Sequence, residues 1–298
     1  MPASYTTFPP GFPTIDNVGV LTISRWLNTP TMVDRALRSI VLNRFIADVL
    51  LTGRVTPEGG AISYETGESI YADRSTLEAI MPGAEYPIST VGQGAASVAT
   101  VKKWGLDAKV VLEAVRRERM SPVNRALIKL GNSIVRQVDS VGLAAIVAAV
   151  TTTQAATATW GTSSAKVVLD LMLARATIVG QNQGYEADTL VLSDTKFAAM
   201  ANDEKVLAAM RREDPGNVVY TGKQGRIAGL DILLTSNSPF PTESLVCDRR
   251  VLGGLADEEP FSSNTWWVQD TEEWRLRAKR VTVPWVSEPA AAVRITGI

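Results

Sequence analysis

Three groups of residues in this sequence have the types and spacing to do chemistry: the carboxylates Asp270, Glu272 and Glu273, the thiol of Cys247, and the glycine-rich run VGQGAAS at 91–97. Neighbouring carboxylates can divide acid and base duties, a thiolate can attack, and a glycine-rich turn can cradle a phosphate. Each lacks what it would need. The 298 residues contain no histidine, which removes imidazole bases, Cys-His and Ser-His-Asp arrangements and histidine-held metals. Arg275, Arg277 and Lys279 flank the carboxylates, so a solvated or subunit-facing ion network is expected there. Cys247 lies in the apolar run SLVCD and is expected to be buried and inert. In VGQGAAS, Ser97 stands where the dinucleotide fingerprint has its last Gly or Ala, and the strand-like SVATV follows where a helix is required. That run reads as a flexible turn. No catalytic residue, cofactor-binding residue or metal ligand is assigned, and no enzyme is expected.

Trp266, Trp267, Trp274 and Trp285, interleaved with Arg275, Arg277 and Arg280, have the composition of a base-stacking platform. A net charge of -1 gives no basic excess to neutralise phosphates, so packing and ion pairing are the expected uses of these residues. A second electrostatic pattern is regional. Between Arg54 and Tyr86 six acids (Glu58, Glu65, Glu68, Asp73, Glu78, Glu85) face two bases, a net of -4. Between Glu113 and Arg136 six bases, among them Arg116, Arg117, Arg119 and Arg125, face two acids, a net of +4. Either these are two unrelated solvated faces, or the acidic segment lies across the basic one, in the same subunit or in a neighbour.

The elements that would position these groups follow from periodicity. Four prolines in the first seventeen residues suit an extended arm. Thr29-Pro30 caps a helix whose stripe of Val33, Leu37, Ile40, Val41 and Ile46 runs to about Leu51, with Gly53 as stop. Ser121-Pro122 opens a long amphipathic helix to about Val150, with Val123, Leu127, Leu130, Ile134, Val138, Val141 and Ala145 at intervals of three or four. Gly131 and Gly142 weaken it by up to about 1 kcal/mol each and allow close approach of a neighbour. A Thr-rich linker at 151–164 precedes helical 166–179, a strand at 189–192 and helical 194–210. Strands are expected at 227–235, 245–248 and 266–269, and in WRLRAKRVTVPW the apolar alternation slips near Lys279–Val281, as at a β-bulge. The fold class is α+β. The longest apolar run, Val141–Val150, is too short to span a bilayer, and the N-terminus lacks the pattern of a signal peptide. With one cysteine no internal disulfide can form, which suits synthesis in a reducing cytoplasm.

Between the two expected helices lies GGAISYETGESIYADRSTLEAIMPGAEYPIST, residues 59–90, too long and too loosely patterned for a loop inside a compact domain. The order of features is a proline-containing arm, a helix, this long excursion, the return segment VKKWGLDAKVVLEAVRRERMSPVNRALIKLGNSIVRQVDSVGLAAI, and a mixed lobe. It resembles the major capsid proteins of tailed bacteriophages with the HK97-type fold, those of actinobacteriophages in particular.

The resemblance implies an N-arm (1–28), an N-terminal helix (29–52), an E-loop (53–100) and a peripheral domain (101–180) with its spine helix at 122–150. An axial domain (181–257) and return strands to the peripheral domain (258–298) follow. It further implies copies joined as pentamers and hexamers in an icosahedral virion shell around double-stranded DNA, made in a bacterial host. A portal protein, a separate scaffolding protein, and decoration or minor capsid proteins are the partners of such a shell; no membrane is. As a fully extended ribbon of about twenty-three residues a side, the excursion would reach at most roughly 75 Å. Some members weld their shells through an E-loop lysine. Here the first lysine is Lys102, so non-covalent stabilisation is expected. An encapsulin-type nanocompartment shell is the nearest alternative, and a soluble α+β enzyme or nucleic-acid binder a more distant one.

Overall fold

The computed structural model describes residues 23, 26–41, 45–72, 79–89, 92–203, 206, 226–237, 240 and 242–298. Most of the expected N-terminal arm, and Asp73 and Glu78, lie outside them. The fold is α+β, organised around one long helix. In chain order the described elements are α1 (Pro30–Val41), α2 (Ile46–Leu50), β1 (Ala61–Thr66), β2 (Ala95–Thr100), β3 (Lys102–Val111), α3 (Leu112–Glu118), α4 (Ser121–Ala149), β4 (Thr153–Ala155) and α5 (Val167–Val179). There follow β5 (Thr189–Leu192), α6 (Asp194–Ala201), β6 (Arg226–Ile227), β7 (Leu230–Leu234), β8 (Ser244–Cys247), β9 (Gly253–Val268), β10 (Glu273–Val286) and β11 (Ala292–Thr296).

Helix α4 has 29 residues and is about 43 Å long at 1.5 Å per residue. Its expected stripe is buried as far as Val138, against α1, α3 and the three-stranded antiparallel sheet β3-β10-β9. Beyond that point the buried residues are Asp139, Gly142, Leu143 and Ile146, and not Val141 and Ala145 as the spacing predicts. The face rotates because the partner changes: this end packs on Leu50, Leu51, Leu245, Cys247, Leu252 and Leu255. Both helix glycines are contact points. A Cβ on Gly131 would come within 3.0 Å of Val41, and one on Gly142 within 2.7 Å of the Ala47 Cβ, so α1 and α2 seat where α4 has no side chain.

The second lobe is a six-stranded mixed sheet in the order β4-β11-β8-β5-β7-β6. β5 and β8 (TLVL and SLVC) are buried along their whole length, as central strands with both faces covered must be. Helix α5 packs Leu171, Ala174 and Ile178 onto the core formed with Leu190, Val246 and Ile295. Residues 258–298, expected to return together to the long-helix lobe, divide. β10 pairs with β3 on one side and β9 on the other, whereas β11 enters the second sheet between β4 and β8 because Val293 and Ile295 belong to that core. Thr153–Ala155, expected as linker, is its parallel partner.

β9 begins at Gly253, well before the expected strand at 266. The register against β10 slips where the alternation slips, between Lys279 and Thr282. The extra residues lie on β9: Pro260 and Phe261 face Arg280, and Glu258 has no partner. Proline cannot donate to a ladder, so an irregularity accommodates it there. β10 keeps its parity through the slip and turns Arg280 inward, leaving that side chain 4% exposed.

Candidate assembly surfaces

Most of the residues whose chemistry was open in the sequence are taken up by packing and ion pairs. Cys247 is fully buried, and burial together with nearby Asp188 and Asp248 pushes its thiol far up. Glu273 is buried and paired with Arg275 at 3.0 Å; Arg277 grips Asp107 in two hydrogen bonds of 2.7 and 2.8 Å; Lys279 bonds Glu259 at 2.8 Å. The Arg277 guanidinium holds the Asp107 carboxyl below its ordinary range. Of the expected network only the Glu273–Arg275 pair is present; Arg277 and Lys279 take Asp107 and Glu259 of neighbouring strands, and Asp270 and Glu272 stay exposed at the β9–β10 turn. Trp274 is buried against Trp267, Trp266 lies under Arg277 with 4.7 Å from guanidinium carbon to ring centre, and Trp285 meets Tyr64 at 5.7 Å. Gly94 of the glycine-rich run leads into β2 and not into a helix. Among the described residues no cluster of acidic or cysteine side chains could hold a metal, and no helix is long and apolar enough to cross a membrane.

The excursion is rooted by backbone. Gly53 N–H donates to Gly253 O and Leu255 N–H to Gly53 O, both at 3.0 Å, and a Cβ on Gly254 would lie 2.3 Å from Gly53 O. β1 and β2 pair over six residues each, from Ala61↔Thr100 to Thr66↔Ala95. Beneath them Ile62 packs on Ala256 and Val283. The ladder ends at Thr66; Gly67 N–H then donates to Ser287 O and Ile70 N–H to Gln183 Oε1, each at 2.9 Å. Among the described residues the pairing is a short ladder and not the fully two-stranded ribbon expected from the sequence. Past it, the chain lies over the second lobe beside a cleft of about 670 Å³ lined by Glu68, Tyr71, Tyr185 and Glu288.

Glu58, Glu65, Glu68 and Glu85 are exposed, as are Arg116, Arg117, Arg119 and Arg125. Arg125 pairs with Glu118 beside it. Among the described residues none of the four acids forms an ion pair with these bases within the chain. The basic side borders a groove of about 360 Å³ between β3 and α4, with Leu106, Ala108 and Ala126 in its lining and Lys109, Arg125 and Lys129 among its charges.

Charge counting missed the apolar part of the surface. Ile88 (84%), Met81 (80%), Tyr86 (78%) and Val98 (70%) are the most exposed large apolar residues described, and all lie on the excursion. Leu169, Met172, Leu173 and Val179 form a further exposed set on α5. Both had a signal: MPGAEYPIS carries apolar residues that serve no strand, and VVLDLMLARATIV is apolar all round, whereas a surface helix has one apolar stripe.

Three solved structures share the fold at low identity. A phage-related protein from Bordetella bronchiseptica RB50 is 12% identical, with TM-score 0.61 over 90% of this chain and 96% of its own. A virus-like particle from Pyrococcus furiosus is 12% identical, with TM-score 0.62 over 89% and 98%. A structure from Mycobacterium phage Adephagia is 13% identical, with TM-score 0.59 over 85% and 89%. No curated protein matches the sequence significantly. Residues 94–295, more than half of the chain, match the family described as phage capsid protein. On that match the chain belongs to the phage capsid protein family, as a structural component of the virion and not an enzyme.

Proposed function

We propose that the chain is the major subunit of a tailed-phage head, assembling through pentamers and hexamers into an icosahedral shell around double-stranded DNA. One observation carries this: the largest exposed apolar side chains sit together on a segment that its own chain leaves uncovered, and such surface marks a protein contact. Residues 53–100 then act as the E-loop and lie on a neighbouring copy. Their seat is the groove between β3 and α4, whose apolar floor and basic rim complement Tyr86, Ile88 and Glu85. Glu58, Glu65 and Glu68, with Asp73 and Glu78, face Arg116, Arg117, Arg119 and Arg125 across that contact. Residues 1–28 form the N-arm, α4 the spine, and 181–257 most of the axial lobe. A portal and a separate scaffolding protein complete the head.

Charge docking across copies should respond to screening, because the Debye length falls from about 10 Å at 0.1 M salt to about 3 Å at 1 M. Light scattering of assembling protein should show a lower yield at 1 M than at 0.1 M salt, and lower still with Arg116→Glu and Arg117→Glu together. Indifference to both treatments removes this use of the charges. The shell should also be held without welds between E-loop lysines, since no lysine precedes Lys102. Mature particles boiled in detergent should run as single chains on a denaturing gel, and a ladder of multiples contradicts this. Likeness to the Pyrococcus furiosus particle keeps one other reading, a protein-filled compartment, which shells containing protein and no nucleic acid would favour.

A further inference from the structure

The root of the excursion is clamped by a buried group of charges drawn from four elements. Arg280 of β10 donates to both oxygens of Asp257 on β9, at 2.9 and 2.8 Å, and to both of Asp48 on α2, at 3.1 and 2.9 Å. Its guanidinium carbon stands 4.8 Å from the centre of the Phe45 ring. Arg54, at the first step of the excursion, donates to the Asp48 carboxylate and to Leu255 O, each at 3.3 Å. The fourth element is α4. Its Asp139 is buried directly under α2 and accepts the Ala47 N–H at 3.0 Å and the Ile46 N–H as well. Two of the three carboxylates therefore share one buried guanidinium and one half-exposed one. Asp48 and Asp257 take the hydrogen bonds of these cations, so Asp139 is the carboxylate held by backbone N–H groups alone.

We propose that Asp139 makes this clamp a proton-sensitive latch on the root of the excursion. Proton uptake removes the one negative charge under α2 that no cation bonds, and seats α2, with residues 51–54 beyond it, more firmly on α4. Proton loss restores that charge beside Asp48 and loosens the seat.

The direction follows from linkage. Burial raises Asp139 from an ordinary 3.8 to about 6; the Ala47 and Ile46 N–H groups oppose the rise, Asp48 adds to it, and Arg280 opposes it. A carboxyl with a raised value binds its proton more tightly when α2 is seated than when it is released into water. Seating is therefore tightest in acid and weakens as pH climbs through about 6. The latch rests on contacts within one chain and does not depend on the assembly reading, so isolated subunits are sufficient for its test.

Hydrogen–deuterium exchange of the full-length subunit, corrected for the pH dependence of intrinsic exchange, reads the latch directly. Between pH 7.5 and pH 5, protection of residues 46–54 should rise about tenfold, the factor that the Asp139 shift implies, while residues 189–192 change less than about twofold. In Asp139→Asn, which retains an acceptor oxygen for Ala47, protection of 46–54 should be high at both pH values and change less than about twofold. An undiminished rise in that variant overturns the proposal. So does an absent rise in the parent, or an equal rise across the whole parent chain, either of which decides the matter even if the variant does not fold.

Discussion

Particles should no longer form when Met81, Tyr86 and Ile88 are replaced together by serine, while the subunit unfolds at an unchanged urea concentration. All three side chains are exposed in the single chain, so removing them opens no cavity in its core, and surface substitutions of this kind stay within about 0.5 kcal/mol each. Full burial of an apolar side chain in a contact is worth roughly 1.5–3 kcal/mol. Three per subunit amount to several kcal/mol at every repeat of the contact. The loss recurs around the closed shell, so electron microscopy should find free subunits or small rings where the parent gives shells. Normal shells at the same protein concentration would show that the excursion is not an assembly element.

Arg280→Ala should lower the free energy of unfolding by about 3–5 kcal/mol, the usual cost of removing one partner of a buried ion pair. One Arg280 nitrogen, Nη2, bonds both Asp48 and Asp257, and without it two neighbouring carboxylates lose their shared cation in a poorly hydrated space. Such a loss is a large part of the ordinary 5–15 kcal/mol of a folded domain. Lysine restores the charge but not the planar fork that serves both carboxylates, so Arg280→Lys should recover only part of it. Urea titration of the parent and both variants measures the series. A loss below about 1 kcal/mol for the alanine variant would show that water replaces the guanidinium at no serious cost.

What could be read from the sequence was local. The spacing of Val123 to Val138 located α4 to within one residue at each end, because helix periodicity is written along the segment itself. Gly131 and Gly142 announced close contacts, though not with which residues. The slip near Arg280 was visible while its cause was not: the side chain turns toward Asp48, 232 positions away, and the irregular strand is β9. β11 had no reading of its own, because five residues, AVRIT, carry no record of which backbone they join. At the assembly surface, charge drew attention to ten residues by sign, yet sign alone does not say in which copy the opposite charge lies. The exposed Tyr86 and Ile88 were hidden by ordinary statistics, since single apolar residues on a surface are common and only their grouping in space has meaning.

One residue, Val101, separates β2 from β3, so the returning strand of the excursion continues directly into the ladder with β10. Tension on that strand, as when a filled shell strains outward, runs along β3 and meets ten residue pairs from Thr282↔Lys102 to Glu273↔Val111. Those hydrogen bonds lie across the pull and share it at once, as rivets share a load in shear. At the other root, residues 52–54 are held by a few separate bonds, the Gly53 crossing at Gly253–Leu255, the Thr52 hydroxyl on Arg249 O and Arg54 on Asp48 and Leu255 O, which a pull would peel open one after another. The two ends of the excursion are mechanically unequal: one is an anchor, and the other is the hinge about which it can give.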